Sequence, residues 1–359
     1  MNQDSYNAWL TMVQRDIPLD RRPFAVIGDR FGMSEGEVIS KLQSLFDEGK
    51  ARRVGGVFDV RGVGYRSALC AATVPEADLE RHAAALFPQP GMTHCYQRGW
   101  PEALGSDLPE QPPEGIPNLW FTLSAQGPAF DVTTAAIRAD LAPAPFFVMP
   151  AVRHFKIDVV FETGGGASDV AGASSTPSVT AAADLSSRRH KVIGEGGART
   201  LSEGDKALIR AMQGLISLVP APYDEIAEGL GRDLDDVIDC LREWKEAGVL
   251  RRVGVILRHR KMGFSANGMC VWYAPPERVA QAGKTLAGFR DVTHCYEREV
   301  IPGFPYNLFA MTHAGSYESA LEKFKVLSQA AGLTNGRVLF SLREFKKTSP
   351  RYFCEDATA

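Results

Sequence analysis

The chain has 359 residues, of which 45% are hydrophobic and 23% charged, and its formal charge is −3 at pH 7. This length accommodates more than one domain, and the composition is typical of a globular protein rather than a fibrous or disordered one. The slightly acidic charge excludes nucleic-acid binding by overall attraction, and the six cysteines, with no CxxC pair among them, argue against a disulfide framework or a zinc centre.

Two predicted helices and a basic ribbon open the chain. Apolar residues at helical spacing run from 24 to 54 and are interrupted at Gly32, with Ser34 as the expected N-cap of the next helix. The basic stretch 51–65 follows with the pattern of a β-ribbon. Helix, glycine turn, helix and ribbon are typical of a winged helix-turn-helix, which we assign to residues 1–60.

The next segment predicts the order strand, helix, strand, strand, helix, strand, which is typical of a ferredoxin-like (βαββαβ) domain over residues 61–162. Residues 99–117 interrupt it between the middle strands, and their proline and glycine content predicts an irregular loop. Residues 163–199 are rich in Gly, Ser and Ala without a hydrophobic period and predict a flexible linker.

The remaining chain repeats this plan, which indicates duplication and fusion. Segments 51–65, 93–98, 118–125 and 152–157 match, in the same order, segments 250–264, 293–298, 307–314 and 342–347. The repeat predicts a second helix-turn-helix domain over 200–260, with Gly231 at the helix break and Asp233 as N-cap, and a second ferredoxin-like domain over 261–359. The predicted fold class is therefore α+β, a duplicated winged helix-turn-helix plus ferredoxin-like unit that forms an internal pseudo-dimer. A higher homo-oligomer stays open.

The motif Thr-His-Cys-Tyr-x-Arg occurs in both halves and is the first candidate site. Alternate residues of a strand share a face, so the histidine, tyrosine and arginine point one way and the intervening cysteine points to the core. Together an imidazole, a phenol and a guanidinium could bind a carboxylate and transfer a proton. A polar sheet face or a subunit interface is the alternative. The motif residues are His94, Tyr96 and Arg98 (the first copy) and His294, Tyr296 and Arg298 (the second copy).

The second ribbon carries a run of cations, "RHRK" at 258–261, where the first ribbon has "FDVR" at 58–61. Because a substrate with many carboxylates would prefer these cations, we expect one main site centred on the second half. A solvated ribbon is the alternative. The first copy either lines this site across the pseudo-dimer interface or forms a degenerate second site. The expected catalytic residues are His259, His294, Tyr296 and Arg298, and the expected substrate-binding residues are Arg258, Arg260, Lys346, His94, Tyr96 and Arg98.

The helices that would read DNA are acidic at their starts. Because phosphate contacts supply most non-specific affinity for DNA, acids at these positions oppose binding. We therefore expect no DNA binding and a scaffold role for these helices between the two halves. The acids are Glu35, Glu37, Asp233, Asp235, Asp236 and Asp239.

The order of domains resembles that of the Lrp/AsnC feast/famine regulators. The stretches "RRVGVILRHRKMGFSAN", "VTHCYERE", "YNLFAMTHA" and "LREFKKTSPRYF" are similar to the siroheme decarboxylases, which share this architecture. Two different subunits normally make up such an enzyme, and here they look fused in one chain, as in the haem d1 pathway. The resemblance covers both halves apart from the linker and the 99–117 insertion.

This resemblance implies a carboxy-lyase that removes the carboxyl groups of the C12 and C18 acetates of siroheme, giving 12,18-didecarboxysiroheme and CO2 in haem d1 biosynthesis. An alternative haem pathway stays open. It implies siroheme and its mono- and didecarboxylated products as ligands, and no cofactor beyond the iron of the siroheme substrate. Arg258, Arg260 and Arg298 would anchor carboxylates. His259 and His294 would donate a proton or act as the axial iron ligand, and Tyr296 would orient or donate.

Two other functions compete with this one. A Lrp/AsnC-like DNA-binding transcriptional regulator or haem sensor would bind DNA specifically and leave tetrapyrroles unchanged, and a carrier would bind siroheme without altering it. The first twenty residues lack a basic segment followed by an apolar core, and no apolar run approaches the ~18 residues of a membrane span. We therefore expect a cytoplasmic protein with no membrane partner.

Overall fold

The computed structural model describes residues 2–89, 91–101, 116–157, 200–258 and 266–354. The predicted linker over 163–199 lies outside these residues, and so do most of the 99–117 insertion and His259, Arg260 and Lys261 of the second ribbon. Within these ranges, every helix is too short or too polar to cross a membrane.

The first half contains three helices, a ribbon strand and a ferredoxin-like unit, in the predicted order. The helices and ribbon are α1 (Gln3–Arg15), α2 (Pro23–Phe31), α3 (Glu35–Asp47) and β1 (Ala51–Phe58). The ferredoxin-like unit consists of β2 (Tyr65–Ala72), α4 (Leu79–Leu86), β3 (Met92–Gly99), β4 (Leu119–Gln126), α5 (Gly127–Leu141) and β5 (Phe146–Ile157).

The second half repeats the same order of elements. Its first domain contains α6 (Glu203–Gln213), α7 (Pro222–Leu230), α8 (Leu234–Glu246) and β6 (Leu250–Leu257). Its ferredoxin-like unit consists of β7 (Ala266–Trp272), α9 (Pro276–Ala287), β8 (Val292–Arg298), β9 (Leu308–Ala314), α10 (Tyr317–Ala331) and β10 (Gly336–Lys347). The predicted α+β fold class is confirmed.

The helix-turn-helix turns form where the sequence predicts them. Gly32 and Gly231 end α2 and α7 with φ angles of 66° and 61°, in the left-handed region that glycine occupies without strain. Ser34 and Asp233 then cap α3 and α8, because each side chain accepts a hydrogen bond from a backbone N–H of the first turn.

Eight strands close into one barrel, a feature that the sequence does not predict. The order around the barrel is β10-β3-β4-β2-β5-β8-β9-β7. The two halves interlock, because β10 of the second half pairs with β3 of the first, and β5 of the first half pairs with β8 of the second. The ribbon strands β1 and β6 also pair with each other, antiparallel. Closure leaves none of these eight strands with an unpaired edge.

The core lies in separate layers. In each half the helices cover the outer face of the barrel, and Cys95 and Cys295 are buried in these two outer cores, as predicted. The barrel interior holds a third cluster to which both halves contribute, including Trp120, Phe309 and Leu339. A fourth cluster joins the two helix-turn-helix domains and their ribbons.

Several acidic residues of the recognition helices have partners within the protein. Glu37 completes a capping box with Ser34, and Glu35 forms an ion pair with Arg22. Asp235 forms an ion pair with Arg21 of the other half at 2.6 Å. Both partners of that pair are exposed, so it adds little stability, but it joins the two domains.

Candidate active site

The two Thr-His-Cys-Tyr-x-Arg strands, β3 and β8, lie opposite each other in the barrel. Their tyrosines, Tyr96 and Tyr296, pair in register with Trp120 and Phe309 of the interior cluster. The rings of His294 and Tyr296 lie 6.0 Å apart, and the guanidinium carbon of Arg298 lies 4.9 Å from the centre of the Tyr296 ring. Arg298 also lies over Phe309 of the interior cluster. The shared face of the second copy is therefore confirmed.

The first copy has the same arrangement. The rings of His94 and Tyr96 lie 6.2 Å apart and are stacked at 27°, and Arg98 lies 5.2 Å from the centre of the Tyr96 ring. Tyr96 pairs in register with Trp120, which belongs to the interior cluster. Both copies thus place an imidazole, a phenol and a guanidinium side by side.

A β-bulge orients each motif histidine. The pairing of β3 with β4 and of β8 with β9 shifts by one residue at Thr93 and Thr293. Strict alternation therefore fails at these threonines, whose hydroxyls lie 2.9 Å and 3.2 Å from Nδ1 of His94 and His294.

Arg98 and Arg298, the last and buried residues of the two motifs, connect the two halves by hydrogen bonds. Arg298 donates from Nη1 to the carbonyl oxygen of Met149 on β5, and Arg98 donates to that of Leu339 on β10 at 3.4 Å. The two arginines are only 6% and 9% exposed, and burial lowers the pKa of each to about 10, so both stay charged. Nε of Arg298 has no hydrogen-bond partner among the described residues. These contacts give the arginines a structural role, and carboxylate anchoring by Arg298 stays a prediction.

The surroundings of the first copy are rich in cations. The backbone N–H of Arg258 donates to the carbonyl oxygen of Lys50 at 2.7 Å, at the start of β1. Burial and the charge of Arg258 lower the pKa of Arg52, which also interacts electrostatically with Tyr96 and Glu344. We call the surroundings of the first copy, with Arg52, Arg258, Glu344 and Lys347, the first-copy side.

For one residue of the cation run, this location differs from the sequence-based expectation. The cation run was expected beside the second copy, yet its first residue, Arg258, lies on the first-copy side. The reason is the antiparallel pairing of β1 with β6, which carries the end of each ribbon strand to the start of the other. His259 and Arg260 lie outside the described residues, so their predicted roles stay predictions.

Cations also surround His94 itself. Burial, followed by the charges of Lys347 and Arg52 and then of His294 and Arg98, lowers the pKa of His94 to about 3. The imidazole is therefore neutral at physiological pH in the ligand-free protein.

The surroundings of the second copy, which we call the second-copy side, differ in charge. Arg251 forms an ion pair with Asp59, and Arg61 donates to the carbonyl oxygen of Ala151 at 3.2 Å. Nη2 of Arg61 also lies 3.1 Å from Nε2 of His154. Because arginine can only donate, Nε2 of His154 is the acceptor and a neutral His154 carries its proton on Nδ1.

Tyr296 and His154 form the centre of the second-copy side. Burial raises the pKa of Tyr296 to about 12, so the phenol keeps its proton. Burial, followed by the charges of Arg61, Arg251 and Arg298, lowers the pKa of His154 to about 4. The ring of His154 packs against the ring of Tyr296.

Lys346 and Lys347 lie on opposite faces of β10. Lys346 pairs in register with Cys95, whose side chain is in the outer core, and its Nζ donates to the carbonyl oxygen of Phe87 at 2.8 Å. Lys347 pairs with His94 and faces the first-copy side. The structure therefore places Lys347, rather than the predicted Lys346, beside the motif.

Sequence reasoning missed several residues that surround the two motifs. The signal was present at three positions, since the matched segments have Asp59 against Arg258, His154 against Glu344 and Ile157 against Lys347, whereas Arg52 and Arg251 are the same residue in both halves. Their partners lie in the other half, however, so the alignment alone does not assign them to a side. They are Arg52, Asp59, His154, Arg251, Glu344 and Lys347.

Two family models match the chain. The AsnC-like ligand binding domain matches residues 62–156 and 261–346. The siroheme decarboxylase NirDL-like HTH domain matches residues 8–52 and 205–251. Each model therefore matches once in each half, in agreement with the duplication.

Similar proteins extend over nearly the whole chain. A siroheme decarboxylase of Hydrogenobacter thermophilus is 31% identical over 98% of this chain and 96% of its own length. The siroheme decarboxylase NirDL subunit of Paracoccus denitrificans is 35% identical over 93% of both chains. The siroheme decarboxylase beta subunit of Methanosarcina barkeri is 38% identical, but covers 42% of this chain and 99% of its own, as expected for one half of a fusion.

Comparison with solved structures gives the same result as comparison of the sequences. The crystal structure of the siroheme decarboxylase NirDL superposes with a TM-score of 0.69 at 28% identity and covers 98% of this chain and 95% of its own. The same enzyme in co-complex with an iron-uroporphyrin III analogue gives a TM-score of 0.68 over the same coverage. The chain therefore belongs to the siroheme decarboxylase family, in the fused NirDL-type single-chain form.

Proposed function

We propose that this protein decarboxylates siroheme at its C12 and C18 acetates and releases 12,18-didecarboxysiroheme and CO2. The observation that carries the proposal is a buried His-Tyr-Arg face with a cationic rim, in a chain of the siroheme decarboxylase family. The haem d1 pathway is the proposed context, and the cytoplasm is the proposed location. The rival function, a Lrp/AsnC-like regulator or haem sensor, is not favoured, and we propose that DNA is not a partner.

The substrate supplies its own electron sink. Each acetate CH2 joins the conjugated ring, so the electron pair left when the carbon–carbon bond breaks can delocalise into the macrocycle. CO2 leaves, and a proton added to the same carbon completes a methyl group, so no oxidant or reductant is consumed. The protein must orient the carboxylate, withdraw it from water and deliver that proton.

The first-copy side suits this task better than the second. Three cations, Arg52, Arg258 and Lys347, lie there against one acid, Glu344, among the described residues. We propose that they bind side-chain carboxylates of the tetrapyrrole, together with Arg260 next to Arg258 in the sequence. Arginine in particular binds carboxylates through a planar pair of hydrogen bonds.

Proton delivery falls to the motif side chains. A neutral His94 beside several cations becomes easier to protonate when substrate carboxylates neutralise those cations, because opposite charges raise the pKa of an imidazole. Tyr96, on the same face, can donate a hydrogen bond to the reacting group. His259 and His294 keep their proposed roles as proton donor or as axial ligand of the substrate iron.

Matched variants test the function and the side together. We would incubate the full chain with siroheme under anaerobic conditions and follow the tetrapyrrole by mass. The wild type should remove two CO2 molecules, and unchanged siroheme would overturn the proposed function. His94→Gln and Tyr96→Phe should each slow decarboxylation by about a hundredfold or more, as expected for loss of a proton donor.

The corresponding changes in the second copy are the control. His294→Gln and Tyr296→Phe should slow turnover by less than about tenfold if the first copy is the reacting one. If the second-copy variants slow turnover more than the first-copy variants do, the reacting site is the one at His294, Tyr296 and Arg298, as the sequence first suggested. His259→Ala, tested beside them, decides whether the cation run supplies a catalytic imidazole.

A further inference from the structure

Asp59 and Arg258 occupy the same place in the two halves but carry opposite charges. They correspond in the matched segments 51–65 and 250–264. Their backbones are also equivalent, because the N–H of Asp59 donates to the carbonyl oxygen of Val249 at 2.8 Å, and that of Arg258 donates to Lys50 at 2.7 Å. At these two positions, the difference between the two sides thus lies in the side chains and not in the backbone hydrogen bond.

On the second-copy side, Asp59 is firmly held against a cation. Its Oδ2 forms an ion pair with Arg251, and both side chains are only about one-fifth exposed, at 19% and 20%. Its Oδ1 accepts hydrogen bonds from the backbone N–H groups of Arg61 and Gly62 at 2.9 Å and 3.0 Å. The charge of Arg251, together with these hydrogen bonds, lowers the pKa of Asp59 despite its burial. The carboxylate therefore stays ionised and neutralises Arg251.

On the first-copy side, the residue that corresponds to Arg251 is Arg52, and it faces a second cation. Burial and the charge of Arg258 lower the pKa of Arg52, which indicates mutual repulsion, and the charge of Glu344 opposes this less strongly. Nη2 of Arg52 donates to the hydroxyl of Ser349, a neutral partner, whereas Arg251 has the carboxylate of Asp59. A third cation, Lys347, lies beside His94, where the second-copy side has Ile157 beside His294. Carboxylates from outside would relieve this repulsion.

We propose that Asp59 takes the place of a substrate carboxylate on the second-copy side, so that the chain binds a single polycarboxylate tetrapyrrole, on the first-copy side. Because Arg251 forms an ion pair with Asp59, it is not available to bind an acidic side chain of the ligand. Asp59 is thus the residue that limits this duplicated protein to one ligand per chain. The choice of ligand class rests on the proposed function.

Binding stoichiometry tests this proposal without any turnover. Iron-uroporphyrin III serves as the probe, and its absorbance change is followed as it is titrated into the full chain. The wild type should bind one equivalent. Asp59→Asn, which keeps the side-chain oxygen for the turn, and Asp59→Arg, which copies Arg258, should both bind two. One equivalent in both variants, or two in the wild type, would overturn the proposal.

Reciprocal variants sharpen the test. Arg258→Asp should weaken binding on the first-copy side by at least about tenfold, because it gives Arg52 an internal partner. The double variant Asp59→Arg/Arg258→Asp should bind one equivalent again, but on the other side. In this double variant, adding Arg251→Gln should lower the affinity. In the wild-type background, Arg52→Gln should lower it instead. An unchanged dependence on Arg52 in the double variant would contradict the proposal.

The outcome is separable from that of the decarboxylation assay. A wild type that binds one equivalent but leaves siroheme intact would disprove the proposed function, and the stoichiometry of the Asp59 variants would still decide the role of Asp59. A wild type that binds no iron-uroporphyrin III would overturn both. Far-UV circular dichroism and unfolding midpoints confirm that each variant is folded, and Asp59→Asn carries the test if Asp59→Arg does not fold.

Discussion

The ring of His154 stands edge-on to the ring of Tyr296, with centroids 5.1 Å apart and planes at 88°. The two residues come from opposite halves of the chain and are paired in register between β5 and β8. On the first-copy side, the corresponding partner of Tyr96 is Glu344. One inherited motif therefore has a neutral aromatic neighbour on one side of the barrel and an acid on the other.

Stability should fall as the pH falls below about 6.5. A histidine of the unfolded chain has a pKa near 6.5, whereas that of folded His154 is about 4. Between these values the unfolded state binds a proton that the folded state does not, so the free energy of unfolding decreases as the pH falls through this window. His94, with a pKa of about 3, acts in the same direction.

Denaturant unfolding between pH 8 and pH 4 measures this effect. His154→Gln should flatten the decrease, by less than the about 1.4 kcal/mol per pH unit that one fully buried group would give, because solvent screens part of His154. A variant with the same slope as the wild type would show that His154 is protonated in the folded protein.

Removing the guanidinium of Arg298 should destabilise the junction of the two halves. Arg298→Met leaves the Met149 carbonyl oxygen without its donor in a buried position, which should lower the free energy of unfolding by about 2–4 kcal/mol. The control is Arg153→Met on the same pair of strands, whose ion pair with Glu297 is partly exposed and should matter by less than about 1 kcal/mol. Equal effects of the two changes would contradict a structural role for Arg298.

The threonines at the bulges should act by positioning the histidines. Thr93→Val keeps the size of the side chain but removes the hydroxyl near Nδ1 of His94, so the imidazole loses its fixed orientation. We expect turnover of siroheme to fall by about tenfold with little change in ligand affinity, as for other residues that orient a proton donor. Thr293→Val is the matched change in the second copy and should have a smaller effect, whereas an equal loss would point to shared catalysis.

The two neighbouring lysines of β10 should behave differently. Lys347→Gln removes a cation beside His94 and should weaken binding of iron-uroporphyrin III by about threefold to tenfold, more strongly at low salt. Lys346→Gln removes a cation that contacts the Phe87 carbonyl oxygen on the outer face, and affinity should stay unchanged. A larger loss for Lys346→Gln would restore the sequence-based choice of Lys346.

Much of the fold and of the chemistry of the site could be predicted from local patterns in the sequence. Helical spacing, the turns at Gly32 and Gly231 and the caps that follow are local features, so they could be predicted and are confirmed. The common face of the motif residues and the burial of the cysteines follow from the period of two along a strand. The duplication could be predicted from the internal repeat, because a repeat is recognised by comparing the sequence with itself.

Which side chains come into contact could not be predicted, because those contacts join residues far apart in the chain. Barrel closure and the pairing of β1 with β6 join strands from different halves, and no local pattern encodes such a distant register. This pairing places Arg258 beside Arg52 and Asp59 beside Arg251, and the bulge at Thr293 overrides simple alternation. The two copies of Thr-His-Cys-Tyr-x-Arg therefore look alike in sequence, and the opposite half of the chain gives each of them its own charge environment.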